Sequence, residues 1–83
     1  DTEARVFTKG DLSIPQMSSY SLSLFSISDK CEGVCIQNAE YECSDITLTN
    51  AFPLGVSNKW STGDVNISVR EGILMVLCSR ISL

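Results

Sequence analysis

The sequence predicts a small, disulfide-stabilised all-β fold, an antiparallel β-sandwich or Greek-key barrel of about six to eight strands. Three observations carry this. Apolar residues recur with period two in several short segments, no window keeps a 3.6-residue period free of serine or β-branched interruption, and turn residues punctuate the chain at short intervals. With 83 residues the chain is read as a single domain, 1–83, because a core this small does not divide.

Taken in order, Ala4 to Thr8 alternates and meets the turn cluster Lys9-Gly10-Asp11. Leu12 and Ile14 continue on one face until Pro15, which has no N–H to donate, stops the ladder. Ser19 to Ser28 is the clearest period-two segment, with Tyr20, Leu22 and Leu24 on one face; Phe25 and Ile27 take the other parity, so a bulge or a second covered face is expected there. Val34 to Gln37 reads as a short strand and Asn38 to Glu40 as a turn. Tyr41 to Thr49 reads as a strand with Ile46 and Leu48 facing inward. Asn50 to Gly55, with Pro53 and Gly55, and the segment from Ser57 to Asp64 read as loops. Val65 to Arg70 alternates cleanly, Glu71-Gly72 has the length of a tight hairpin turn, and Ile73 to Leu77 is an apolar run expected to be buried on both faces.

Four cysteines in a short chain without histidine favour two disulfides over a metal site, since Cys31, Cys35, Cys43 and Cys78 do not have the spacing of paired zinc knuckles. Three connectivities are open. The turn at Asn38-Ala39 tilts the choice toward Cys35 with Cys43 and Cys31 with Cys78, the long bridge being worth about 3 to 4 kcal/mol. Disulfides imply an oxidising compartment, so a secreted, extracellular protein is expected. Asp1-Thr2-Glu3 carries no signal-peptide pattern, as a processed secretory product would not. The net charge of −4 offers no basic face for nucleic acid, and no apolar run approaches the length of a transmembrane helix.

The segment from Gly63 to Gly72 resembles the loop-and-strand signature of βγ-crystallin-type Greek keys, in which an acidic or amide pair precedes paired hydroxyls and an alternating strand. The likeness implies single-domain secreted proteins of the killer-toxin and fungal-effector kind. It departs from the pattern at Gly63, where the first acidic or amide residue belongs, and at Ile67, where the first hydroxyl belongs. Asp64 and Ser68 alone supply too few oxygens for calcium. Neither a metal nor a cofactor is expected.

The chemistry is sparse. No Ser-His or Cys-His nucleophile can be assembled without histidine, and Glu40 and Glu42, though able to share a strand face, read as a solvated acidic edge rather than a glycosidase dyad. No enzyme is expected. Asn66-Ile67-Ser68 is an N-glycosylation sequon, with Asn66 the candidate acceptor. Phe52, Leu54, Asn58, Lys59, Trp60 and Asp64 form the candidate binding surface, an aromatic and apolar loop region with polar flanks. Tyr20 and Tyr41 are expected to be packed. The function expected from these features is binding, as an effector, toxin or defence-type protein recognising a protein or cell-surface target; the alternative is inhibition of an extracellular hydrolase.

Overall fold

A computed structural model describes residues 2–51 and 54–81, with the backbone alone for 54–57. The all-β expectation holds: the described residues form six strands, β1 (Thr2–Ile14), β2 (Tyr20–Ser26), β3 (Lys30–Gln37), β4 (Cys43–Thr49), β5 (Leu54–Asn58) and β6 (Val65–Arg80). Two of them are much longer than their neighbours, β1 with 13 residues and β6 with 16. They pair antiparallel from Thr2 opposite Ser79 to Ile14 opposite Val65.

β6 is the spine. Its other edge is shared end to end by β2, which covers the half from Leu74 to Arg80, and β3, which covers Asn66 to Glu71. β5 extends the sheet beyond β2, and β4 extends it beyond β3. A straight strand of this length would run about 50 Å, yet the longest dimension of the molecule is 34 Å, so β6 must bend. It bends at Gly72 (φ 110), and β1 bends with it, at a register shift between Thr8 and Gly10 (φ 113).

The bend folds the sheet over on itself. Val65, Ile67 and Val69 from one half of β6 and Leu74, Val76 and Cys78 from the other are all buried, and they share one core with Leu22 and Leu24 of β2 and Val34 and Ile36 of β3. The inward parity switches from odd to even across Arg70-Glu71-Gly72. That switch is the mark of a bulge.

Polar side chains stitch the bend. Thr8 Oγ1 donates to Gly72 O at 2.8 Å, the Ile73 amide donates to Ser28 Oγ at 2.9 Å, and the Cys31 thiol donates to Ile73 O at 3.2 Å. Gly72 has to be glycine here, because a Cβ would sit 2.5 Å from Lys30 O and 2.8 Å from Cys31 Cα, both backbone atoms. Glu71-Gly72 is therefore no hairpin turn, and Lys9-Gly10 does not end the first strand. Both are bends inside continuous strands that hold each other in register.

The expected disulfides are absent, and geometry explains it. Cys31 lies against Gly72, whereas Cys78 is six residues further along β6, about 20 Å at strand rise and far beyond the separation of about 4.4 to 6.8 Å that a bridge spans. Cys35 and Cys43 are close in register but face opposite ways. Cys43 sits opposite Ile36 and packs on the core, while Cys35 sits opposite Ser68 on the outer face and accepts the Asp45 amide at 3.3 Å. All four cysteines are free thiols. Burial pushes the Cys78 and Cys43 thiols up from their ordinary value of 9.0. The extracellular expectation thereby loses the bridges it was argued from.

Candidate functional site

Folding the sheet over brings the ends of the strands together at the pole opposite the bend. Two loops meet there, 38–42 after β3 and 59–64 after β5. Their backbones are zipped by two hydrogen bonds that make an antiparallel bridge between Ala39 and Trp60: the Glu40 amide donates to Lys59 O at 2.8 Å, and the Ser61 amide donates to Asn38 O at 3.0 Å.

Asn58 is the clasp. It is fully buried, and its side-chain amide reads both backbone groups of Tyr41, accepting from Tyr41 N at 2.9 Å through Oδ1 and donating to Tyr41 O at 2.9 Å through Nδ2. Asn38, at φ 67, supplies the second clasp: its amide donates to the Glu42 carboxylate at 2.6 Å, and its Nδ2 donates to Asp64 O at 3.1 Å. Trp60 is half-buried and donates Nε1–H to Ile14 O at 3.2 Å, which fixes its indole against the end of β1.

These contacts leave a defined surface. Tyr41 is 66% exposed, and Glu40, Glu42, Asp64 and Lys59 of the same loops are exposed, with Trp60 half-buried among them. Of the residues expected to bind, Asn58, Lys59, Trp60 and Asp64 come together here, but Asn58 is a buried strut and not a contact. Leu54 contributes backbone pairing to Leu24 in β5, a strand the sequence hides behind Pro53 and Gly55. Phe52 lies outside the described residues. Tyr41, expected to be packed, is exposed instead; in the sequence only its place next to a turn marked it for exposure. Tyr20, by contrast, is half-buried, with the Arg80 guanidinium 6.0 Å from its ring centroid. Glu40 and Glu42 lie in the loop and not on a strand face, and Glu42 is engaged with Asn38. Asn66 is the second residue of β6, paired with Ser13 of β1 and Gln37 of β3, with Oδ1 buried.

No family model and no curated relative matches the sequence. Solved structures do match. Thiamine pyrophosphokinase from Bacillus subtilis superposes with a TM-score of 0.90 at 19% identity, over 99% of this chain and 38% of that one. The thiamin pyrophosphokinase from Geobacillus thermodenitrificans gives 0.86 at 19% identity, over 98% and 38%. A thiamin pyrophosphokinase family protein from Enterococcus faecalis gives 0.82 at 13%, over 98% and 38%. The fold is thus that of a β-rich portion of these proteins, and this chain spans 38% of their length.

Those matches correct the reading of the family and function. The resemblance to βγ-crystallin-type secreted proteins does not survive, since the residues that carried it, from Gly63 to Gly72, enter a long bent spine in a fold found in metabolic enzymes. The effector, toxin and hydrolase-inhibitor readings fall with it. The expectation of no enzyme stands beside a fold shared with thiamine pyrophosphokinases, of whose length this chain spans 38%.

Proposed function

We propose that this chain is the β-rich part of a thiamine pyrophosphokinase-type enzyme, and that the zipped loops at its open pole hold the thiamine. The observation that supports this most is the extent of the match: nearly the whole chain superposes on 38% of each of three such proteins. The site suits the ligand by its own chemistry. Thiamine carries two aromatic rings, one of them cationic, and the open pole offers the Tyr41 and Trp60 rings beside the carboxylates of Glu40, Glu42 and Asp64. Aromatic faces and carboxylates both attract such a cation, by about 0.5 to 2 kcal/mol for a ring contact.

Pyrophosphoryl transfer needs more than this. The transferred group is stabilised by cationic side chains and metal ions, and a chain of net charge −4 with only six Lys and Arg has no cluster of them near these loops. The phosphate donor would be held by protein beyond this chain. In that reading the loops position the acceptor alcohol and the catalysis of transfer lies elsewhere.

Trp60 is the single tryptophan, so its fluorescence reports the site directly. Titration with thiamine is expected to give a saturable change, weakened about tenfold by Tyr41→Ala and by Asp64→Asn. A flat titration confirmed by calorimetry, or affinity unchanged in both variants, would sink the assignment of this site.

A further inference from the structure

We propose, resting on the thiamine reading of the open pole, that Lys59 is a specificity residue for the phosphorylated form of the ligand: its ammonium holds the diphosphate that the alcohol arm carries after transfer and adds nothing to binding of the alcohol itself.

Of the six Lys and Arg in the chain, four are engaged elsewhere. Arg5 pairs with Glu3 and Lys30 with Glu32, each at 3.6 Å, Arg70 pairs with Asp45 at 3.0 Å, and Arg80 stands over the ring of Tyr20. Lys9 lies at the bend, at the far end of the molecule. Lys59 is the one cation on the two zipped loops, and it enters no ion pair among the described residues. Glu40, Glu42 and Asp64 share those loops, yet none of them closes on it; the Glu42 carboxylate takes the Asn38 amide instead.

The backbone that carries this ammonium is fixed on both sides. The Lys59 amide donates to Asn58 Oδ1 at 3.0 Å, and the Lys59 carbonyl accepts the Glu40 amide at 2.8 Å. Its neighbours are the fully buried Asn58 and Trp60, whose indole is tied to Ile14 O. The side chain therefore starts from a held point while it stays exposed. A flexible stem with a compact, unpaired charge suits a lysine to meet a phosphate as a point charge.

Charge decides which end of the ligand it serves. The cationic ring is attracted by the aromatic faces and carboxylates and repelled by an ammonium. The arm ends in a neutral alcohol before transfer and in an anionic diphosphate after it. Only the second form offers Lys59 a partner of opposite sign. Lys59 thus grips the product and leaves the affinity for the acceptor to Tyr41, Trp60 and the carboxylates.

Trp60 emission, checked by calorimetry, tests this when the parent chain, Lys59→Gln and Lys59→Arg are each titrated with thiamine and with thiamine diphosphate. Lys59→Gln is expected to weaken the diphosphate about tenfold and thiamine by less than about twofold, and Lys59→Arg to restore the diphosphate to within about threefold of the parent. The gap between the parent and Lys59→Gln should narrow as salt is raised. Thermal unfolding shows that both variants keep the parent's Tm, which an exposed side chain without partners predicts. If thiamine binds but Lys59→Gln leaves the diphosphate unchanged, or weakens both ligands alike, the role of Lys59 is overturned and the thiamine site stands. If neither ligand binds the parent chain, the site falls and the role of Lys59 falls with it.

Discussion

The Arg70 guanidinium reaches Asp45 at 3.0 Å, starting on β6 and ending on β4, and it does so by lying across Gly33 of the strand between them. A Cβ at Gly33 would stand 2.5 Å from Arg70 Nη1 and 2.7 Å from Arg70 Cβ, and the backbone there has φ 67. The missing side chain is what lets the pair form. Gly33→Ala is therefore expected to destabilise the fold by about 1 to 3 kcal/mol, from left-handed strain and the displaced arginine together. Urea unfolding of the single and double variants separates the two causes. In an Arg70→Ala background the cost of Gly33→Ala should fall, and an unchanged cost would leave backbone strain as its sole origin.

Gly10 and Gly72 offer a cleaner contrast, because they occupy the same bend with nearly equal φ of 113 and 110. A Cβ on Gly10 meets nothing within 4 Å, whereas one on Gly72 strikes the backbone of Lys30 and Cys31. Gly10→Ala should cost about 1 to 2 kcal/mol for conformation alone. Gly72→Ala adds a collision that no rotamer relieves, so a loss of about 4 kcal/mol or more, or failure to fold, is expected. Similar losses at the two sites would mean that the backbone at the start of β3 yields easily.

These glycines also show where the sequence could be read and where it misled. Alternation marked the strands around Leu22, Ile46 and Ile67 correctly, because each has one covered face and side-chain parity is local information. Glycine next to a charged residue reads as a turn, but whether the chain reverses or merely bends depends on what pairs alongside it, and Thr8, Cys31 and Ser28 are all distant in sequence from Gly72. The run from Ile73 to Leu77 misled for a related reason: Leu74 and Val76 are buried, but Ile73, Met75 and Leu77 face outward. The cysteines misled because an even count suggests bridges, and only the register shows Cys31 and Cys78 at different points along β6. At the site, Trp60 and Asp64 were legible as loop residues, while the role of Asn58 was not, since a buried amide clasping Tyr41 from 17 residues away leaves no local pattern.

Asn58 should thus act on stability and on the site together. Asn58→Ala removes both bonds to Tyr41 and leaves an amide and a carbonyl without their partner, at a cost of about 1 to 3 kcal/mol. Asn58→Asp keeps the acceptor for Tyr41 N but turns an oxygen toward Tyr41 O, so it should cost at least as much. Both variants are expected to shift Trp60 emission as the loops unzip. Emission unchanged in the face of lost stability would show that Trp60 is held by Ile14 O alone.

Thiol labelling decides the redox state. Cys35 and Cys43 are half-buried, and Cys31 and Cys78 are fully buried. Two thiols should react in the native protein and all four on unfolding without reductant, read by mass spectrometry. Fewer than four in the unfolded chain would restore a disulfide.

The buried thiol of Cys78 also sets the alkaline limit of stability. Its pKa is raised above 9.0 chiefly because burial on the core face of β6 penalises the thiolate; Arg5 pulls it down and Glu3 pushes it up. The folded state thus resists ionisation that the unfolded chain permits. Stability from this source is fully present below the unfolded pKa near 9.0 and is lost as the pH rises through the folded value, since only the unfolded state releases the proton at first. Cys43 acts in the same direction, also through burial. Cys78→Ala is expected to be less stable at neutral pH, having lost a core side chain, yet to lose less stability than the parent between about pH 8 and pH 10.5. The difference between the two curves reads the contribution of the thiol. Parallel curves would mean that Cys78 ionises in the folded protein as easily as in the unfolded chain, and that water reaches the core from the open edge of β1.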